Sequence, residues 1–107
     1  MSLSKKEVQH IIAHYLNDHE KTQFGSLIDS VKKVLEDKGQ IGEITEHRGS
    51  LLTVTHYENI SNEDALLIND VIYDFLYERI ITPGIDRNNL ELPFLHVSDK
   101  EKLNKYL

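Results

Sequence analysis

The chain has 107 residues, with 12 lysines and arginines against 18 acidic residues, a formal charge of -6 with histidines neutral, and no cysteine. The missing cysteines exclude disulfide scaffolds, thiolate zinc sites and thiol chemistry, and the longest apolar run, Ala65 to Ile68, is far short of the roughly 20 residues that span a bilayer. At 39% hydrophobic residues, a chain of this length buries roughly two thirds of its unfolded surface, which suits one domain over residues 1–107 and leaves none for a second. Met1 to Lys6 lead straight into an amphipathic segment with no signal-peptide apolar stretch, so the expectation is a cytoplasmic protein without a membrane partner.

The charge is local. Residues 1–40 hold six lysines and six acids, and residues 81–107 hold four charges of each sign. The excess falls in the middle: residues 41–60 carry one base against three acids, and residues 61–80 carry Arg79 against Glu63, Asp64, Asp70, Asp74 and Glu78. No block of five or six like charges occurs, which argues against a disordered acidic tail.

Ser4 and Glu7 stand at capping-box spacing, flanked by Leu3 and Val8 as a hydrophobic staple. Val8, Ile11, Ile12, Tyr15 and Leu16 then recur at helical intervals, predicting a first helix from about Ser4 to Asp18. Phe24, Leu27, Ile28, Val31, Val34 and Leu35 repeat likewise and predict a second helix after Thr22, stopped at Lys38 and Gly39. The two are expected to pack as a hairpin. Residues 40–50, with Gly42 and Gly49, read as loop, and the β-branched and aromatic content of Leu51 to Tyr57 predicts a short strand.

A third helix is predicted from Ser61 to Ile80, capped by Ser61, with Ile60 and Ala65 at staple spacing. Ala65, Ile68, Ile72, Phe75 and Leu76 form its expected core face, with an acidic stripe of Glu63, Asp70, Asp74 and Glu78 opposite. Beside that stripe runs a second apolar seam, Leu66, Tyr73 and Tyr77. Thr82-Pro83-Gly84-Ile85 reads as a turn in which glycine takes the positive φ. Leu92 to Val97 reads as a second strand, with Pro93 marking it as an edge, and Ser98 with Glu101 as the capping box of a short closing helix.

The order helix, helix, short strand, helix, then extended segments around a polar loop is that expected of a winged helix. A long helix ending in Glu78-Arg79-Ile80-Ile81-Thr82-Pro83-Gly84, a polar loop, then Leu92-Pro93-Phe94-Leu95-His96-Val97 resembles the third helix and wing of small bacterial winged helix-turn-helix proteins, many of them uncharacterised. The resemblance covers about residues 60–107. It implies a mainly helical α+β, winged-helix-like fold of three helices, a short β-sheet wing and a short C-terminal helix. It also implies DNA binding through the third helix. The residues depart from that role, because groove entry would bring a helix of net charge -4 towards phosphates that lysine and arginine normally neutralise.

Lys5, Lys6, Lys21, Lys32, Lys33 and Lys38 lie in or beside the first two helices, with Arg87 in the expected wing. They are interleaved with Glu7, Asp29, Glu36 and Asp37, so a solvated mixed-charge surface is the plainer reading, and a phosphate-contacting patch the alternative. His10 and His14, spaced to share a metal, and Asp18 one turn on have no third strong ligand placed by sequence. Exposed histidines are therefore expected, and no cofactor. No nucleophile elbow, glycine-rich phosphate loop or paired-histidine glutamate motif occurs, so no enzyme is expected.

Leu66, Tyr73 and Tyr77, at intervals of seven and four, would most often be core beneath the first helix or the Leu51 to Tyr57 strand. Otherwise they are a contact surface, since tyrosine is enriched at interfaces. The expected function is protein association, with a second copy or a basic partner, through Leu66, Tyr73, Tyr77 and the flanking Asp70, Asp74 and Glu78. The alternative is a DNA-binding regulator using the seven basic residues above.

Overall fold

A computed structural model describes residues 3–39, 41–47 and 53–107; residues 43–47 and 53–58 are described through their backbone alone. The chain runs α1 (Lys5–Asp18), β1 (Lys21–Gln23), α2 (Phe24–Asp37), β2 (Gly42–His47), β3 (Thr53–Glu58), α3 (Asn62–Tyr77), β4 (Ile81–Pro83), β5 (Phe94–Val97) and α4 (Lys100–Asn104). This is a mainly helical α+β fold. Four helices accompany a three-stranded antiparallel sheet of order β1-β5-β4 and a separate β2-β3 hairpin.

The capping box of α1 forms as its sequence predicts: Glu7 N–H donates to Ser4 Oγ (3.2 Å), and Ser4 N–H donates to Glu7 Oε1 (3.1 Å). Val8, Ile12, Ala13 and Leu16 of α1 meet Leu27, Val31 and Leu35 of α2 and Ile68, Val71, Ile72 and Phe75 of α3 in one core. Ile80, Ile81, Leu95 and Leu103 extend it under the sheet and α4.

Several local expectations change. Residues 40–50 hold a strand, β2, which pairs from Gly42↔Glu58 to His47↔Thr53. The 51–57 strand is β3, described over Thr53–Glu58; Leu51 and Leu52 lie outside the described residues. α1 and α2 pack together as expected, with the unpredicted β1 in the connection between them. Its three residues are too few to show an alternating pattern.

The third helix stops at Tyr77 rather than Ile80. Arg79 takes a left-handed φ of 60°, its N–H donates to Leu76 O, and Ile80 N–H donates to Phe75 O, the paired bonds of a Schellman ending. Ile80 is thereby freed to enter the core and Ile81 to begin β4.

β5 begins at Phe94 and is the central strand of its sheet, not an edge. Pro93 falls just before it, where a missing N–H costs no ladder bond, and its carbonyl accepts from Phe24 N–H at the start of α2 (2.7 Å). At the foot of α4, Asp99 rather than Ser98 is the cap, accepting from Lys102 N–H. The Ser98 hydroxyl donates to Arg79 O instead (2.7 Å) and bonds Thr82 Oγ1. Gly84 has φ 104°, and a Cβ there would come within 3.1 Å of Leu90 O, so both backbone and space require glycine.

Candidate interaction surface

The axis of α3 divides it by chemistry. Ile68, Val71, Ile72 and Phe75 are fully buried on one side, together with Asp64. Ala65 and Leu76, expected among the core residues, are only half-buried. On the other side Leu66, Tyr73 and Tyr77 are exposed to 63%, 56% and 89%. Of the two readings of this seam, core or contact surface, these exposures leave the second: the face lies opposite the buried Phe75 and outside the core of the described residues.

Glu63, Leu66, Asp70, Tyr73 and Tyr77 are all exposed and follow one another at intervals of three, four, three and four. Such spacing sets them along one face of a helix, so carboxylates and apolar groups share it. Tyr73 is steadied by Phe24 at the start of α2, the ring centroids 5.8 Å apart. Past the helix end the face continues as a shallow groove between Tyr73, Tyr77 and Arg79 and the β4 residues Ile81 to Pro83.

Asp74 and Glu78 flank this face and are engaged within the fold. Lys5 Nζ lies 2.9 Å from Asp74 Oδ2, a hydrogen bond that, with the carboxylate charge, raises the lysine's pKa above its ordinary 10.5. Glu78 Oε2 accepts from the Tyr106 hydroxyl at 3.0 Å. Burial first, then this acceptor, raise the phenol above its usual 10.0. The Glu78 carbonyl accepts from Lys102 Nζ (2.8 Å), which fastens α4 to the end of α3.

The lysines do not gather on one face. Lys5 is bound to Asp74. Lys6 sits beside Glu7 and His10 near the C-terminal residues, and Lys33 lines the α1–α2 groove with Asp18 and Asp37. Lys32 is half-buried, and Lys38 follows the end of α2. Lys21 and Arg87 do share a groove between β1 and the 84–93 loop, in company with Glu20 and Asp86.

His10 and His14 touch edge to face at 4.3 Å between ring centroids. His10 Nδ1 is 3.2 Å from the Tyr106 carbonyl, to which it must donate. Among the described residues no group of three or more histidines and carboxylates is placed to hold a metal ion.

Sequence reasoning missed two residues that shape the surface. Asp64 is 5% exposed, and its Oδ1 accepts from Leu3 N–H at 3.1 Å, tying the residue before the Ser4 cap of α1 to the first turn of α3. Its position within the Ile68 and Phe75 face was the available signal. Arg79 ends α3 and edges the groove; nothing in its sequence marks a left-handed residue, since glycine is usual there.

No helix among the described residues is long and apolar enough to cross a membrane. No family model matches this chain, nor does any curated protein or solved structure.

Proposed function

We propose that this chain is a non-enzymatic, winged-helix-like association domain that acts in the cytoplasm and docks a protein on the outer face of α3. The winged-helix reading is supported by β4, the 84–93 loop and β5, which have the form of a wing beside the helix that a DNA reader would insert into the groove. One observation carries the functional reading: Leu66, Tyr73 and Tyr77 stand exposed together on that helix. A phosphate-facing helix would carry cations there, whereas here Glu63 and Asp70 lie among the apolar groups.

Exposed aromatic side chains that line one groove are characteristic anchors of protein interfaces. A test is light scattering at micromolar concentration together with affinity capture from the native host, on the parent and on a Tyr73→Ala/Tyr77→Ala variant. Self-association or a captured partner that disappears in the variant supports the reading. A strict monomer with no variant-sensitive partner contradicts it.

The DNA-binding alternative rests on Lys21 and Arg87 sharing the groove beside the wing. Titration with duplex DNA separates the two. Binding at low salt that falls steeply as salt rises supports the alternative; no binding at low salt removes it.

A further inference from the structure

We propose that the occupant of the α3 face is a basic amphipathic segment of another protein, in which arginine or lysine alternates with leucine-like residues, rather than a second copy of this chain. The inference rests on the association reading above and specifies the partner's chemistry.

Charge complementarity carries it. Of the five acids in residues 61–80, Asp64 is buried, so the outer face and its flanks present Glu63, Asp70, Asp74 and Glu78 against Arg79, which edges the groove past the helix end. Two copies laid antiparallel about Asp70 would set Asp70 against Asp70, and two laid parallel would set every acid against itself. Either arrangement opposes like charges over the contact, which specific interfaces avoid.

A cationic helix meets no such conflict. Tyr73 and Tyr77 each have a carboxylate three residues earlier, Asp70 and Asp74, and residues so spaced are neighbours on a helix surface. A guanidinium laid over either ring gains a cation–π contact while its N–H groups reach the adjacent carboxylate. Leu66 on one side of these points and the groove past Tyr77, edged by Pro83, on the other offer the apolar contact. Lys5 already shows that the Asp74 carboxylate takes a cation; that pair is about half exposed on both sides, so its exchange for a partner's arginine costs little.

The probe is a labelled helical peptide of about 18 residues, long enough to cover α3 at about 1.5 Å per residue, with leucines on one face and arginines flanking them. Its counterpart replaces every arginine by glutamate. Fluorescence anisotropy is measured with the full chain, with Tyr77→Ala and Asp70→Asn on the face, and with Asp37→Asn at the end of α2.

Saturable binding of the arginine peptide is expected, weakened about tenfold by either face variant and less than about twofold by Asp37→Asn. The glutamate peptide is expected not to bind. Absence of saturable binding overturns the proposal, as does an equal loss in Asp37→Asn and Asp70→Asn, which would mean general attraction to an acidic protein. Light scattering on the same samples separates the two claims. A chain that ignores the peptide overturns the basic partner; the association reading is then kept by self-association or a captured partner lost in Tyr73→Ala/Tyr77→Ala, and is removed when neither is found.

Discussion

Asp64 is the residue on which the join between the two ends of the core depends. Its carboxylate is buried and accepts from Leu3 N–H, so Asp64→Ala leaves a buried donor unpaired. That change is expected to cost about 1–3 kcal/mol in urea denaturation. Asp64→Asn keeps an acceptor oxygen and should cost less. At Arg79 the sign reverses. A left-handed φ of 60° places Cβ against the following carbonyl at about 1–2 kcal/mol, partly offset in Arg79→Gly by glycine's greater unfolded freedom. The variant is expected to be more stable by up to about 1 kcal/mol, measured by the same titration; a loss would contradict the Schellman ending.

Glu7 sets a pH dependence. Hydrogen bonds from Ser4, its backbone first, hold the carboxyl below its ordinary 4.5. A carboxylate with a lowered folded pKa contributes stability above its unfolded value and loses it as pH falls through the folded value. Parent chain is therefore expected to be more stable than Glu7→Gln at neutral pH, with the difference vanishing in strongly acidic solution. A difference that persists at low pH would assign the effect to something other than the capping box.

At the scale of elements, the helices were largely legible because each has a strong apolar face and a start signal. Ser4, Glu7 and Ser61 act as their spacing suggests. The strands were not. β1 and β4 are three residues each, too short for a period of two, and their pairing with β5 is decided by the core that forms beneath them. Pro93 misled because its edge signal belongs to the residue before β5. With β1 and β4 on either side of β5, and with Phe94 N–H donating to Glu91 O and Val97 N–H to Glu20 O, Phe94 to Val97 should show uniform protection in hydrogen exchange. Rapid exchange at alternate positions would restore the edge assignment.

The outer face of α3 is legible as a seam, but periodicity alone leaves core and contact surface both open. Leu66 and Phe75 are nine residues apart, which at about 100° per residue sets them about 180° apart. With Phe75 fully buried, Leu66 has to point outward. The pull towards core comes from the general rule that apolar stripes at helical spacing are usually buried. Leu66→Ala and Tyr77→Ala are accordingly expected to change folding stability by no more than about 0.5 kcal/mol. A loss of about 3 kcal/mol or more would mark them as core.

For the whole molecule, the charge of -6 resolves into a directional property. Lys5, Lys6 and Lys33 each lie beside a carboxylate, whereas the outer face of α3 combines carboxylates with exposed tyrosine and leucine. On the proposed reading, the β4–β5 connection is a wing beside that helix, and the helix surface suits protein rather than phosphate. Partner identity was not legible, because one sequence specifies the chemistry of one side of an interface only.

Affinity capture from the native host with the parent chain and with Tyr73→Ala/Tyr77→Ala, both shown to be folded, compares that surface present with that surface removed. The account expects a protein retained by the parent and lost from the variant. Identical sets of retained proteins, with duplex DNA bound at low salt through Lys21 and Arg87, would contradict it.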